Sequence, residues 1–518
     1  MADYRHARNL DDVPHEECGV FGVFGHVDAA ALTVLGLHAL QHRGSDAAGI
    51  VTYDDGNFFA ERHTGLVSDV FGGVNATRLA NLKGARAIGH NRYSIDGGGT
   101  RNIQPMFADT RGGGIALAQN GNLTNARQLR EELVSEGRII QSTSDAELII
   151  QLMARSRHKQ VVDRLVDALK QAEGAYSLVA LTSKRLIGLR DPWGVRPLVL
   201  GRLGSAYVLA SETCALDIID AEFVRDIGPG EMVVIRKEGV EIFHPFGKKP
   251  NRFCIFEYVY FSRPDSIIDG RSVYEQRKRT GMELAREAPA LADVVMPIPD
   301  TSIPAAIGYA AELRLPVEFG LIRNNYVGRT FIEPTNGIRR FRTRLKLNPS
   351  RAAFFGKRVV LVDDCVLRGT TSERVVQMVR DAGASEVHLR VASPPTTHSC
   401  FYGVHTPNND ELLAHKMDVE QMRQALGTDS LAFISLNGLY SSMGLGVRNE
   451  VSPQFCDACF SGDYPIELID VSPVSERVIV AEFASKFRDR IRSDTLGTFD
   501  AAELFKLATS IVPPPRDQ

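Results

Sequence analysis

The chain has no apolar run as long as the roughly 20 residues a membrane-spanning helix requires. Nor does it open on the hydrophobic stretch of a secretory signal. Met1 to Glu17 carries Asp3, Arg5, His6, Arg8, Asp11, Asp12, Glu16 and Glu17, and this charged leader implies a cytoplasmic protein with no membrane partner. Net charge is nearly missing as well. A formal value of -3 sets up no field that would draw a polyanion, so nucleic acid is not an expected partner and an anionic substrate must be held locally. Cysteine is sparse: seven residues, an odd number spread unevenly over 518, do not make a disulfide framework and point to catalytic or metal-binding use. Internal repeats and low-complexity tracts are absent.

What is present divides in two, as the length requires of a chain too long for one hydrophobic core. CGVFGVFG at Cys18 to Gly25 is a strand-like run, and a domain starts there. From it to about residue 245, β-rich runs such as Tyr207 to Ala210 and Met232 to Ile235 mix with helical stretches, with a turn at Pro229-Gly230. This reads as a sheet-rich α+β domain. His244 to Arg252 reads as a linker into the apolar Cys254 to Phe261. Beyond it, strand runs at Val294 to Pro299, Arg358 to Asp364 and Val387 to Ala392 alternate with helical segments, the signature of a parallel α/β sheet. Thr370 and Glu373 fit a capping box, Val375, Val376 and Val379 an apolar stripe, and Gly383 a helix end.

VVLVDDCVLRGTTS, Val359 to Ser372, puts two acids at the carboxyl end of a buried strand and then a short loop into a helix, where α/β sheets bind ligands. Backbone N–H groups at the helix start, Gly369 and the hydroxyls of Thr370, Thr371 and Ser372 make a cradle for a phosphate monoester. Asp363 and Asp364 beside it suit ribose hydroxyls or a hydrated Mg²⁺. The plainer alternative is helix-dipole and capping duty. Tyr326 to Pro334 and the basic run Arg339, Arg340, Arg342, Arg344 and Lys346 are either a closing loop for phosphate oxygens or a solvated face.

In the first half Cys18 is followed by QHRGSDAAGI at Gln41 to Ile50, GHNRYS at Gly89 to Ser94, QNGNLTN at Gln119 to Asn125 and STSDAELI at Ser142 to Ile149. By itself the cysteine is more simply a buried core thiol, Asn120-Gly121 a hairpin turn, and Ser144 with Glu147 a capping box around Asp145. The four strings in this order resemble N-terminal-nucleophile glutamine amidotransferases. That resemblance implies Cys18 as nucleophile and the Asn120 side chain and Gly121 N–H as oxyanion donors, with Arg92 on the substrate α-carboxylate and Asp145 on its ammonium. If residues 1–17 are a propeptide, the freed α-amine of Cys18, with an ordinary pKa of about 7.7, can serve its own thiol as base. A leader that stays attached would need another base, and His42 is the nearest in sequence.

The second half resembles type I phosphoribosyltransferases. The resemblance implies that Asp363 and Asp364 hold a ribose diol and that Cys365, Val366, Leu367, Arg368, Gly369, Thr370 and Thr371 wrap a 5′-phosphate. It further implies that Pro297 to Ser302 is a pyrophosphate loop, Ser302 joining the two acids around Mg²⁺, and that Arg329 closes over the substrate. With GAYSLV, RDPWGVRPLVLG, ASETCALD and RPDSIIDGRSVYE added, the chain from about Glu17 to Pro465 is similar to glutamine phosphoribosylpyrophosphate amidotransferases. The expected fold is an α+β N-terminal-nucleophile glutaminase domain, an αββα sandwich, over 18–245, and an α/β type I phosphoribosyltransferase domain over 254–450. A cluster-binding and helical tail is expected over 451–518.

The implied reaction is glutamine-dependent amidation of phosphoribosyl pyrophosphate (PRPP) to 5-phosphoribosylamine, the opening step of purine synthesis. The family also implies a homotetramer inhibited by AMP and GMP. One of its branches carries a [4Fe–4S] cluster, and Cys254, Cys400, Cys456 and Cys459 match its ligand contexts, although zinc suits four thiolates too. Ser45, Asn91, Gln119, Asn325 and Asn336 depart from the family's usual residues and put glutamine affinity, coupling and loop closure in question. The rival readings are another glutamine amidotransferase, such as glucosamine-phosphate synthase or asparagine synthetase, a PRPP-binding regulator without chemistry, and a paralogue with altered substrates. The Val359 to Ser372 loop opposes the first and the retained Cys18, Arg92, Asn120, Gly121 and Asp145 the second.

Overall fold

The computed structural model describes residues 18–93, 99–111, 113–324 and 347–471, together with the backbone pairing of His15–Glu16. Residues through Leu468 form one compact unit, and the described part of a second is the single turn Ile469–Val471.

The run after Cys18 becomes the strand Gly19–Phe24, buried along its whole length. Successive side chains of a strand point to opposite faces, and here each face meets a different core. Val20 and Phe24 pack with Val51, Ile88, Ala116, Ala118 and Val179 between two sheets, whereas Phe21 and Val23 pack with Leu37 and Ile50 under helices. The first sheet has seven antiparallel strands, Gly19–Phe24 lying between Ala206–Ala210 and Arg86–Arg92. The second has six, with Gly113–Leu123 between Met106–Thr110 and Gly174–Thr182. Pro229 and Gly230 sit where the chain passes from Glu222–Asp226 in one sheet to Met232–Arg236 in the other. Helix Ala29–Ala39 covers the outer face of the first sheet, and Asp145–Arg155 with Val161–Leu169 that of the second, through Leu148, Leu152 and Leu165 on Ile115 and Leu117. The result is the expected αββα sandwich.

The second half is a four-stranded parallel sheet ordered Val294–Pro297, Arg358–Asp363, Glu386–Val391 and Ser430–Phe433. Val295, Val360 and Val362 face helices Val273–Glu287 and Ile303–Leu313, and Val359 and Leu361 face Thr370–Asp381 and Val419–Leu426. Two capping boxes expected from sequence are not made. Gly369, at φ 81°, takes the N-cap position before Thr370, because the sharp exit from the loop needs a left-handed backbone. Ser144 caps with backbone alone, while the Glu147 carboxylate reaches past it to the N–H groups of Gln141 and Ser142. Among the described residues no helix is long and apolar enough to cross a membrane.

The halves are joined by a buried quartet of charges. Arg43 donates to Glu212 at 2.5 Å and to Glu257 at 2.8 Å, and Arg196 donates to Glu257 at 3.2 Å, all four side chains fully removed from solvent. Ser262 donates at 2.5 Å to the Glu257 oxygen that also accepts Arg43, and Ser266 donates at 2.7 Å to the Glu212 oxygen that Arg43 does not reach. Two cations and two anions cancel here, and the two hydroxyls add further donors to the carboxylates. Removing one member strands the others in a low dielectric, which typically costs about 3–5 kcal/mol. Glu257→Gln is therefore expected to lower stability by about that amount, read as a fall in denaturation midpoint. Burial works to raise the Glu212 carboxyl, but Arg43 and His42 outweigh it and hold the group well below its ordinary 4.5. Its contribution is accordingly full above pH 4.5 and fades as pH falls below that value toward the folded one. Glu212→Gln should flatten this part of the acid-stability curve; an unchanged slope would count against the arrangement.

Candidate active sites

Cys18 stands at φ 84° just before its strand, and its backbone nitrogen donates to the Arg43 carbonyl at 3.1 Å. It opens onto a pocket of about 280 Å³ that is also lined by Arg92, Gly121 and Asp145. Three strings far apart in sequence are thus brought to the thiol by the two sheets. Arg92 ends the Arg86–Arg92 strand, which pairs with Gly19–Phe24, and donates to the Gly99 carbonyl at 3.1 Å. Asp145 starts its helix and accepts the Leu123 N–H at 2.8 Å.

Asn120 and Gly121 are not a hairpin turn. They lie inside Gly113–Leu123, opposite Ser177 and Tyr176. Alternation sends the Asn120 side chain between the sheets with Ala116 and Ala118, on the face toward which Val20 packs. There it is completely buried, and neither its nitrogen nor its oxygen has a hydrogen-bond partner. An orphaned buried amide is costly in a finished core and expected where a ligand completes the set. Gly121, at φ 130°, is pressed so closely on the next strand that a Cβ would lie 2.1 Å from the Ala175 carbonyl oxygen.

Two imidazoles on elements adjoining Cys18, His42 just before Arg43 and His90 opposite Val20, are already engaged. His42 donates through Nε2 to Glu212 at 2.6 Å. His90 donates to the Gln119 carbonyl at 3.1 Å, and burial drives its pKa down to about 3, so it stays neutral. Of the departures from the family pattern, Asn91 donates to the Leu37 carbonyl at 2.6 Å and Gln119 is buried with both side-chain polar atoms unpartnered. Ser45 lies in the connection between the Gln41–Arg43 turn and the Ala47–Asp54 strand.

In the second half Asp363 ends its strand and Asp364 begins the loop, each 8% exposed. Asp364 donates its N–H to the Asp363 carboxylate at 3.0 Å, and the Thr301 hydroxyl donates to Asp364. Burial raises the Asp364 carboxyl, opposed by Thr301 and by Arg277. Arg277 is itself buried; burial lowers it to about 10, against the pull of Asp364, so it stays charged at neutral pH. Cys365, Val366 and Leu367 are buried, so their side chains are turned away from solvent. The Leu367 carbonyl accepts the Leu413 N–H at 2.7 Å, and Arg368 pairs with Glu411 at 2.8 Å. Ser302 does not reach the acids: it is fully buried and its hydroxyl donates to the Ile298 carbonyl. Thr301, its neighbour in the same string, meets Asp364 in its place. Arg329, Asn325, Asn336 and the basic run Arg339 to Lys346 lie outside the described residues.

The four remaining candidate ligands share one lobe. Phe253–Cys254 pairs in parallel with Phe455–Cys456, which sets Cys254 opposite Cys456. The Cys459 carbonyl accepts the N–H groups of Thr397 and His398 at 3.0 and 3.1 Å, just before Cys400. Burial pushes the Cys254 thiol up to about 12 and those of Cys456 and Cys459 well above the ordinary range, and the proximity of the thiols to one another adds to it. Among the described residues no three His, Cys, Asp or Glu side chains stand close enough to hold a single ion.

Models of two families match the chain, a glutamine amidotransferase domain over residues 90–217 and a phosphoribosyl transferase domain over 269–393. An amidophosphoribosyltransferase of Rhizobium etli is 55% identical over 466 residues, which cover 89% of this chain and 94% of the relative. The chain belongs to the amidophosphoribosyltransferase family. The Bacillus subtilis member is 47% identical over 457 residues, 88% of this chain and 95% of that one. The structure of the B. subtilis glutamine PRPP amidotransferase complexed with ADP and GMP superposes with a TM-score of 0.83 at 45% identity, covering 87% of this chain and 98% of the other.

Sequence reasoning missed one part of this amidophosphoribosyltransferase site. Cys400, Phe401, Gly403, Val404 and Thr406, from the second half, form a wall of the pocket that holds Cys18. Only Cys400 had a signal, and it was read for a metal. The buried quartet was missed too, although Arg43 and Glu257 stand in strings that carried the resemblance.

Proposed function

We propose that this chain makes 5-phosphoribosylamine from glutamine and PRPP, Cys18 acting on the amide and the Asp363 to Thr371 loop holding the ribose phosphate. The observation that carries the reading is the pocket in which Cys18, Arg92, Gly121 and Asp145 meet, in the same compact unit as the buried acid pair and its loop. Arg92 binds the glutamine α-carboxylate and Asp145 its ammonium. The thiolate of Cys18 attacks the amide carbon, and the developing oxyanion lies between the Asn120 amide nitrogen and the Gly121 N–H. The thiol proton passes to the Cys18 α-amine and from there to the departing ammonia; water then hydrolyses the thioester to glutamate. In the second half Asp363 and Asp364 orient the ribose while ammonia displaces pyrophosphate at C1. The two acids fit a Mg²⁺, since a cation beside them would relieve the burial that raises Asp364, whereas Ser302 does not fit as a ligand. Such an ion would neutralise charge on the leaving pyrophosphate.

The leader is read as a propeptide. His15–Glu16 pairs antiparallel with Val404–His405, and Val404 is part of the pocket wall. Removal of the leader turns the Cys18 nitrogen from an amide into an amine while leaving the Arg43 carbonyl as its acceptor. The four thiols of the lobe, Cys254 and Cys456 buried and Cys400 and Cys459 half-buried, would suit a [4Fe–4S] cluster, which the family resemblance favours over zinc. When bound, it would fasten the segments of Cys254, Cys400, Cys456 and Cys459 together. A cytoplasmic location, a homotetramer and inhibition by AMP and GMP complete the reading, the last supported by the ADP and GMP named for the B. subtilis structure.

Three experiments test this. Asp363→Asn and Asp364→Asn should depress synthesis from either glutamine or ammonia while glutamine hydrolysis persists, whereas Cys18→Ala should abolish glutamine use and keep synthesis from ammonia. Unchanged PRPP kinetics in both acid variants would remove the loop from the mechanism. Intact-mass analysis of active protein should find Cys18 at the N-terminus; full glutamine-dependent activity with the leader attached would overturn the amine as base. Anaerobically purified protein should contain four irons and four acid-labile sulfides, lost together in Cys456→Ser, and stoichiometric zinc without sulfide would contradict the cluster.

A further inference from the structure

We propose that Gly403, supplied by the phosphoribosyltransferase half, is a positioning residue for glutamine hydrolysis, its missing side chain allowing the Phe401 to Val404 backbone to seat on Gly121 and fix that oxyanion donor. The inference rests on the roles given above to Cys18 and Gly121. A Cβ on Gly403 would stand 2.8 Å from the Gly121 Cα and 3.2 Å from its carbonyl carbon, and Gly403 itself is at φ 102°. Gly121 has no room to retreat, since the Ala175 and Tyr176 backbone occupies its other side within 3.0 Å of where a Cβ would be. The peptide is thus clamped between its neighbouring strand and a residue more than half the chain away.

The outer jaw is itself held in place. The Phe401 carbonyl accepts the Asn122 side-chain amide at 3.0 Å, and the Tyr402 carbonyl accepts Arg196 Nε at 2.8 Å. Arg196 is anchored in turn on Glu257 at 3.2 Å, and the Tyr402 hydroxyl donates to the Ile466 carbonyl at 2.5 Å. A rigid jaw matters because an oxyanion donor must be held to within about 0.5 Å of its productive position. Loss of one such donor lowers kcat by about 10²–10³-fold. A methyl at Gly403 must push either the jaw or the Gly121 peptide, and its nearest neighbours would be Gly121 and Arg196, not Arg92 or Asp145. The effect therefore belongs in kcat and not in KM.

The test uses the full-length chain, its N-terminus checked by mass, and measures kcat and KM for glutamine hydrolysis together with the alkylation rate of the Cys18 thiol by iodoacetamide. Gly403→Ala should lower kcat by about tenfold or more, with KM for glutamine and the alkylation rate within about twofold of wild type. Asn122→Asp keeps the side-chain shape but removes the donor to Phe401, and should lower kcat in the same direction by less. It decides the matter if Gly403→Ala fails to fold. Wild-type kcat in the folded variants would overturn the inference, as would a rise in KM and alkylation rate in step with the kcat loss, which marks a loosened wall. Cys18→Ala separates the two levels: if it still hydrolyses glutamine, the parent reading fails and this inference with it. If it does not and Gly403→Ala behaves as wild type, only the inference fails.

Discussion

Two arginines and two glutamates with no access to solvent tie the thiol of the first half to the pocket wall supplied by the second. Arg43 lies between Glu212 of its own half and Glu257 of the other, and Arg196 closes the set from the opposite side. A buried ion pair is weak evidence for stability, because an apolar replacement of the same volume often does as well. What it does supply is direction. Apolar surfaces slide over one another at little cost, whereas forked guanidinium groups bonded to specific carboxylate oxygens permit one register. The backbones of the quartet carry that register outward: the Arg43 carbonyl receives the Cys18 nitrogen, and Arg196 also holds the Tyr402 carbonyl in the pocket wall. The nucleophile and the wall facing it are thereby tied to one electrostatic centre.

Much of this was legible in the sequence because local chemistry decides it. The acids at the end of Arg358–Asp363, the loop with Gly369 leading into a helix and the strand-like run after Cys18 each follow from rules that operate over a few residues. The αββα sandwich was legible only through the order of four motifs. Periodicity alone could not separate two inward faces from one, since Gly19–Phe24 is buried on both. Thr301 and Ser302 show the limit at single-residue scale. Both are hydroxyls in the same string, and it takes the start of the Ile303–Leu313 helix to turn one toward Ile298 and the other toward Asp364.

The second-half wall of the thiol pocket was invisible for a different reason. Nothing in CFYGVHT distinguishes a pocket lining from an ordinary loop, and the partners that give it meaning, Asn122 and Arg196, are more than 200 residues distant. The quartet hides in the same way. Glu257 sits within an apolar run where a lone acid reads as the solvated side of a helix, and only the burial of both partners shows otherwise.

The same geometry bears on which group deprotonates Cys18. His42, the nearest candidate in sequence, is turned toward the quartet and donates to Glu212, whose charged state Arg43 stabilises. Moving it to the thiol would strip a hydrogen bond from a buried carboxylate, a cost of about 1–3 kcal/mol or more. His90 is on hand but cannot carry a proton near neutral pH, because burial holds it at about 3. Gln119, which lines the pocket, has no proton-accepting nitrogen to offer. On the reading proposed above the base is the Cys18 nitrogen itself, which donates to the Arg43 carbonyl and would become basic only once the peptide bond to Glu17 is cut.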